Sequence, residues 1–461
     1  MERHGQAVVV SHPAPVLGRD NYSYSFVVQQ FRPLLARWGP TREVNQPESR
    51  VEFSLRRFRQ AGLEPLHLGF SPLHVAYLAR QARNAAFVFW EYPDLLQRQT
   101  EDDLRYDWAR MAKRFDRLFT ASTFTQEAFW RAGVRTPIDV IPVPVAPRWF
   151  ELPLWQANQS VRLEVPAFVY PLPPDTPNIA LPYAHRDRSW RGRVKAFYRR
   201  RLLPLLPEAL QQRLRRTMRL LFGQPIPQIA GVETPVPRQA GLELSGVVYL
   251  HLCNPYDERK NWQDLVAAFL EALGDCPDAT LVIKLVAEGS LLPHAINAVN
   301  TFYLAVAREH CCRIALVGGY LSDEQMSELI RASTYYATAT RAEGANLPLM
   351  DALAAGRPAL SPRHTSMRDY FTADMGWVVP STDEPAAVTV GRERLLSRWQ
   401  RVDFAALVNQ FRASYELVRR SPDRYSALAR AARQRMHEYA SLERVWPIFR
   451  AALEAAVGGA Q

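Results

Sequence analysis

The sequence predicts an α/β protein with two parallel-sheet domains and an irregular, basic segment between them. Three observations carry this expectation. Strand-like and helix-like runs alternate over residues 1–150 and again from Leu242 onward. Between about 151 and 240 that alternation stops, proline becomes frequent and arginine follows. Finally, 461 residues suffice for two cores plus an elaboration. Alternation of strand and crossover helix builds parallel sheet with right-handed connections.

In chain order, residues 7–11 read as a first strand, followed by a loop with Gly18 and a helix over 22–35. Ala85-Ala86-Phe87-Val88-Phe89-Trp90 reads as a strand that ends at Glu91. Strands over 117–122 and 138–145 flank a helix over 125–132 and complete the first domain, 1–150. The segment 151–240 is expected to be an insertion. In the second domain, 241–425, strands are expected over 246–252, 279–285, 313–316 and 335–340, with helices over 262–273 and 323–332. Each strand is apolar or β-branched over a short run, and each helix carries apolar residues at helical spacing. A last segment, 426–461, reads as helical.

The net charge of +11 looks like a nucleic-acid signal until it is located. Residues 186–222 hold twelve Arg or Lys against Asp187 and Glu208, so nearly all the excess sits in one segment and no nucleic-acid partner is expected. Within it Trp190, Val194, Phe197 and Tyr198, then Leu210, Leu214, Met218 and Leu221, fall at helical spacing between arginines. Two readings fit: a basic amphipathic hairpin lying on an anionic membrane surface, or a helical insertion that packs its apolar stripe on the core. No apolar run is long enough to span a bilayer, and the N-terminal apolar stretch is too short for a signal peptide. The four cysteines lack metal-ligand spacing and read as reduced core thiols. The expectation is a cytoplasmic protein, with peripheral contact at the inner face of the cell membrane if the basic segment binds lipid.

Chemistry concentrates at Glu343-Gly344-Ala345-Asn346-Leu347-Pro348-Leu349-Met350-Asp351. A strand over 335–340 precedes it, and Pro348 is suited to open a helix that Gly356 closes. Strand, tight turn and helix N-terminus form the arrangement that holds a phosphate-bearing ligand at the edge of a parallel sheet. Glu343 then lies in the turn and Asp351 about one helical turn further in, where an acid near a helix N-terminus is also favoured by the dipole alone. A second cluster, Asn254-Pro255-Tyr256-Asp257-Glu258-Arg259-Lys260-Asn261, follows the 246–252 strand. Its cations are placed to neutralise a diphosphate, or are solvated loop charges. Tyr256, Trp90, His364 and His12 sit near these motifs and read as stacking groups or as packing.

Together these motifs resemble family 4 retaining glycosyltransferases, of glycosyltransferase group 1 type. The shared pattern is Glu343, Gly344, Leu347, Pro348, Asp351, Ala354, Gly356 and Pro358, with Lys260-Asn261 before it and Phe89-Trp90-Glu91 in the first half. Tyr439 to Trp446 resembles the family's final helix, which crosses back to the first domain. The resemblance implies the GT-B fold, two Rossmann-like domains facing across a cleft, here with a helical basic insertion. It implies transfer of a hexose or deoxyhexose from a nucleotide-diphosphate sugar to a glycan or lipid-linked glycan, in cell-surface polysaccharide biosynthesis. Glu343 would contact the donor sugar, and Gly344 and the N–H groups of Asn346 and Leu347 would lie against sugar or phosphate oxygens. Asp351 would accept from the ribose, Arg259 and Lys260 would hold the diphosphate, Glu91 would stand at the reacting centre, and Gly18 would allow close approach on the acceptor side. No metal and no other cofactor is expected. Where the family often carries an arginine before the lysine, this chain has Asn254 and Pro255, and Arg259 or Arg341 is left to supply the charge. The alternative is a catalytically weak GT-B scaffold or partner subunit; a phosphorylase or epimerase on the same architecture is a third class.

Overall fold

The computed structural model describes residues 5–13, 23–97, 103–171, 239–287, 289, 291–391 and 393–458. The first domain is a six-stranded sheet of order β2-β1-β3-β4-β5-β6. Its strands are β1 (Gln6–Ser11), β2 (Thr41–Val44), β3 (Glu64–Phe70), β4 (Arg83–Val88), β5 (Arg117–Thr120) and β6 (Ile138–Val140). Every neighbouring pair is parallel. Helices α1 (Ser23–Trp38), α2 (Pro47–Gln60), α3 (Trp108–Ala112), α4 (Thr123–Arg131) and α5 (Pro147–Glu151) connect or follow these strands. The consecutive valines Val8, Val9 and Val10 are all fully buried, as a strand covered on both faces requires.

The second domain is an eight-stranded sheet of order β14-β13-β12-β9-β10-β11-β7-β8. It comprises β7 (Ser160–Tyr170), β8 (Gln239–Ser245), β9 (Val247–Cys253), β10 (Ala279–Leu285), β11 (Arg313–Val317), β12 (Tyr335–Ala337), β13 (Ala359–Pro362) and β14 (Gly376–Val379). From β14 to β11 the pairing is parallel, while β7 and β8 add an antiparallel edge. Residues 160–170, expected in the insertion, are therefore part of the second sheet. Val161, Leu163 and Val165 are buried while Arg162 and Glu164 are exposed, so this first part of the strand covers one face only, and its alternating charges obscure it among the prolines. Helices α6 (Trp262–Leu273), α7 (Leu291–Val306), α8 (Asp323–Ala332) and α9 (Leu347–Ala354) complete the α/β repeat.

Beyond β14 the chain departs further from expectation. Strands β15 (Ser381–Val390) and β16 (Glu393–Val402) form a separate antiparallel hairpin, where no element was expected. Helices α10 (Phe404–Arg420), α11 (Pro422–Ala440) and α12 (Leu442–Gly458) follow. Helix α12 buries Val445, Phe449, Ala452, Leu453 and Ala456 in the first domain's core, alongside Phe31, Phe70, Phe87 and Phe119. The Phe31 and Phe449 rings are 5.0 Å apart.

Cys253 and Cys312 are core thiols as expected, but Cys276 is half-buried and Cys311 exposed; all four are free. Gly18 and the basic segment 186–222 lie outside the described residues. Among the described residues, no helix is long and apolar enough to cross a membrane.

Because Phe449 fills the first domain's core from a helix that arrives from the second, Phe449→Ala is expected to cost about 3–5 kcal/mol and lower the melting temperature. Ile448, next to it but 42% exposed, is the control: Ile448→Ala is expected to cost less than about 1 kcal/mol. Thermal melts of both variants check this.

Candidate functional site

Two turns at the carboxyl edge of the second sheet build the site, and each ends on a left-handed asparagine placed immediately before a helix. After β9 the chain runs through Asp257, whose carboxylate accepts from the Arg259 N–H at 3.1 Å, to Asn261 (φ 47°, ψ 38°) and α6. After β12 it runs through Thr340 to Asn346 (φ 61°, ψ 58°) and α9. Asparagine tolerates this conformation better than other side-chain-bearing residues. The expected strand over 335–340 thus stops at Ala337, freeing Thr338–Glu343 to turn across the sheet edge. The turns are tied together: the Arg341 N–H donates to the Arg259 carbonyl at 2.7 Å.

At their junction, the Lys260 ammonium donates to both Glu343 oxygens, at 2.8 and 3.0 Å. Glu343 is only 5% exposed, and the Thr340 hydroxyl lies 2.9 Å from its Oε1. Burial is the strongest single influence and opposes the lysine's charge, but the Glu343 carboxylate, with Asp257 adding to it, leaves the Lys260 pKa raised on balance. Arg259 makes a second node. It pairs with Asp257 at 2.7 Å and with Glu91 of the first domain at 3.1 Å. Burial works against this guanidinium too, but Asp257 and Glu91 hold its pKa well above the ordinary value. Glu91 is pushed up by burial, with Arg259 pulling the other way.

The two domains touch directly here. A Cβ on Gly344 would lie 2.9 Å from the Phe89 Cβ and 3.4 Å from Glu91 Oε1, so the turn tolerates no side chain at this position. Ala345 is buried in the first domain's core. Asn346 and Leu347 open α9, and among the described residues none accepts a hydrogen bond from their N–H groups. Those N–H groups and the helix dipole favour an anion.

Asp351 lies within α9 and is half-buried. Burial pushes its pKa up to about 7, and the positive charge of Arg148 offsets only part of this. The other flagged residues resolve toward packing. Trp90 is buried and its Nε1–H donates to the Asp94 carbonyl at 2.9 Å. Burial lowers the His364 pKa to about 4, so the ring is neutral at pH 7; its Nε2–H donates to the Thr340 carbonyl at 3.0 Å. His12 bridges the Pro13 carbonyl and Glu43. Tyr256 is exposed.

The structure thus brings together Glu343, Gly344, Asn346, Leu347, Arg259, Lys260 and Glu91, and sets Asp351 further along α9. Sequence reasoning placed Asn261 in the motif without giving it a role, and missed Thr340 and Trp399, whose ring lies under the Arg341 guanidinium at 4.7 Å. An asparagine just before each helix was the available signal for Asn261; nothing local marks Trp399. Among the described residues, no three His, Cys, Asp or Glu side chains converge as a metal site would need.

No protein-family model matches the chain, and no curated protein matches it. Solved structures do match. Anabaena HepE in complex with UDP and glucose is 11% identical at a TM-score of 0.53, over 98% of this chain and 100% of that one. A sucrose-phosphate synthase from Thermosynechococcus elongatus is 12% identical at 0.55, over 98% and 100%. A glycosyltransferase from Rickettsia africae is 10% identical at 0.53, over 99% and 100%. The two Rossmann-like domains are therefore those of the GT-B fold, as expected.

Asp351 gives a pH prediction. Its folded pKa of about 7 stands above the ordinary 3.8, so the folded protein keeps a proton that the unfolded chain releases. That contribution to stability is present at low pH and is lost as pH rises from about 4 to about 7. Asp351→Asn cannot ionise, so it is expected to melt above the wild type at pH 8, with the gap closing toward pH 4. A gap that widens on acidification contradicts this.

Proposed function

We propose that the chain is a retaining glycosyltransferase that moves a hexose or deoxyhexose from a nucleotide-diphosphate sugar to a glycan or lipid-linked glycan, in assembly of a cell-surface polysaccharide. The observation that carries this reading is the Lys260–Glu343 pair at a parallel-sheet edge, beside an open helix N-terminus and facing Glu91 of the other domain. The likeness in fold to HepE, which was solved with UDP and glucose, is consistent with it.

In this reading the donor diphosphate takes over Lys260 from Glu343. The carboxylate is thereby released to accept from hydroxyls of the donor sugar. The N–H groups of Asn346 and Leu347 donate to sugar or phosphate oxygens, and ionised Asp351 accepts from the ribose hydroxyls. Cleavage of the bond between the anomeric carbon and the phosphate oxygen leaves negative charge on the diphosphate. Fixed cations and the helix terminus stabilise that charge without reorganising. The acceptor oxygen attacks from the same face, its proton passing to the departing phosphate, so configuration is retained and no carboxylate nucleophile is required. Glu91 orients groups at the reacting centre, and Gly18 belongs to the acceptor side. Charge neutralisation by side chains makes a metal unnecessary in this scheme.

A second reading, a catalytically weak scaffold, is favoured by one observation: Arg259 and Lys260 are both already neutralised by carboxylates. A thermal-shift panel of nucleoside diphosphates separates the two. A ligand at 100 times its Kd stabilises the fold by about 2.7 kcal/mol, so one base is expected to raise the melting temperature clearly. No shift with any base contradicts donor binding.

For catalysis, Lys260→Ala and Glu343→Ala are each expected to lower kcat by about 100-fold or more, and wild-type transfer is expected to persist in EDTA. Full activity in either variant refutes the site assignment, and loss of activity in EDTA refutes the metal-free scheme.

A further inference from the structure

We infer that Arg341, held in place by Trp399 of the β15–β16 hairpin, is a further side chain that grips the donor diphosphate alongside Lys260; the inference rests on the nucleotide-sugar reading above. Three cations stand on the two turns of the site. Arg259 is paired with Asp257 and Glu91, and Lys260 with Glu343. For Arg341 no carboxylate among the described residues lies within ion-pairing distance. Among the described residues it is a half-buried guanidinium without a counter-ion.

Its donors are incompletely used. One terminal nitrogen donates to Asn261 Oδ1 at 3.3 Å, and the buried Nε–H meets no acceptor. That Nε has no exposed surface, so the donors open to a ligand oxygen are those of the terminal nitrogens. The planar fork of a guanidinium matches two phosphate oxygens at once. Stacking on an aromatic ring occupies its face and leaves its edge free to donate. Arg341 also rides on the site itself, since its N–H is bonded to the Arg259 carbonyl and it stands two residues before Glu343.

Trp399 acts as a positioning residue. Its ring lies 4.7 Å from the Arg341 guanidinium, and its Nε1–H donates to Glu384 of the paired strand at 2.6 Å. The next residue, Gln400, donates from its backbone to the Arg341 carbonyl at 2.9 Å. The hairpin is fixed on its far side by the first domain: the Ser397 hydroxyl donates to Asp94 at 2.8 Å, and Leu395 and Ala386 pack with Trp90 and Trp108. Contact between the domains thus sets the position of the guanidinium.

Calorimetric titration with inorganic pyrophosphate tests the inference. Arg341→Gln is expected to weaken binding by about 10- to 100-fold, with Arg341→Lys in between because it keeps the charge but loses the fork. Trp399→Ala is expected to weaken binding as well. Trp399→Phe keeps the ring but loses the bond to Glu384, so it is expected to bind like the wild type while melting lower. A merely structural Trp399 would instead make affinity follow stability across both variants. Equal affinity in the wild type and Arg341→Gln overturns the assignment, as does a wild type that binds no pyrophosphate. In either case a nucleoside diphosphate that still stabilises the wild type leaves the nucleotide-sugar reading standing. Failure of every nucleotide removes that reading separately.

Discussion

The pairing of the Lys260 ammonium with the Glu343 carboxylate, at 2.8 and 3.0 Å, joins two turns across 83 residues of chain. Each partner alone would be a poorly solvated charge, and removing one member of a buried pair typically costs about 3–5 kcal/mol. The pair therefore commits the 254–261 and 338–346 turns to one mutual arrangement. The left-handed asparagines, the Arg341–Arg259 backbone bond and the N-terminus of α9 all follow from that arrangement. In the proposed scheme a diphosphate, which carries more charge than a carboxylate, displaces it from the lysine without leaving a cation uncompensated.

A second constraint acts across the domains. Glu91 reaches Arg259, and Gly344 allows the second-domain turn to sit against Phe89. Asp369 accepts from both the N–H and the hydroxyl of Thr123 at the start of α4, at 2.7 and 2.6 Å. Arg368 adds a bond to Glu127. On another side the β15–β16 hairpin packs on the Trp90–Trp108 cluster, and α12 seals the first domain's core.

Much of this was legible in the sequence because it is local. Strand runs such as Ala85–Val88, the proline opening α9 and the glycine after it each write their role within a few residues. The same holds for Glu91, Arg259, Lys260 and Glu343, each of which follows a strand end. What was not legible is what arises only from tertiary contact. No spacing rule pairs Lys260 with Glu343, or Arg259 with Glu91. Strand β7 was hidden because Ser160, Arg162 and Glu164 alternate with its buried residues and face solvent. The hairpin was hidden because its apolar positions meet a surface of the other domain, so Trp399 had no visible reason to lie near Arg341. Asp351 was recognised as a candidate acid, but the burial that raises its pKa comes from the packed environment of α9, not from its own sequence neighbourhood.

The most direct test of the central claim is a crystal structure grown with the nucleoside diphosphate that stabilises the protein best. The account predicts the β-phosphate within hydrogen-bonding distance of Lys260 Nζ and of the N–H groups opening α9. It also predicts the Lys260–Glu343 bond broken and the ribose at Asp351. A nucleotide bound elsewhere, or bound with that ion pair intact, would contradict it.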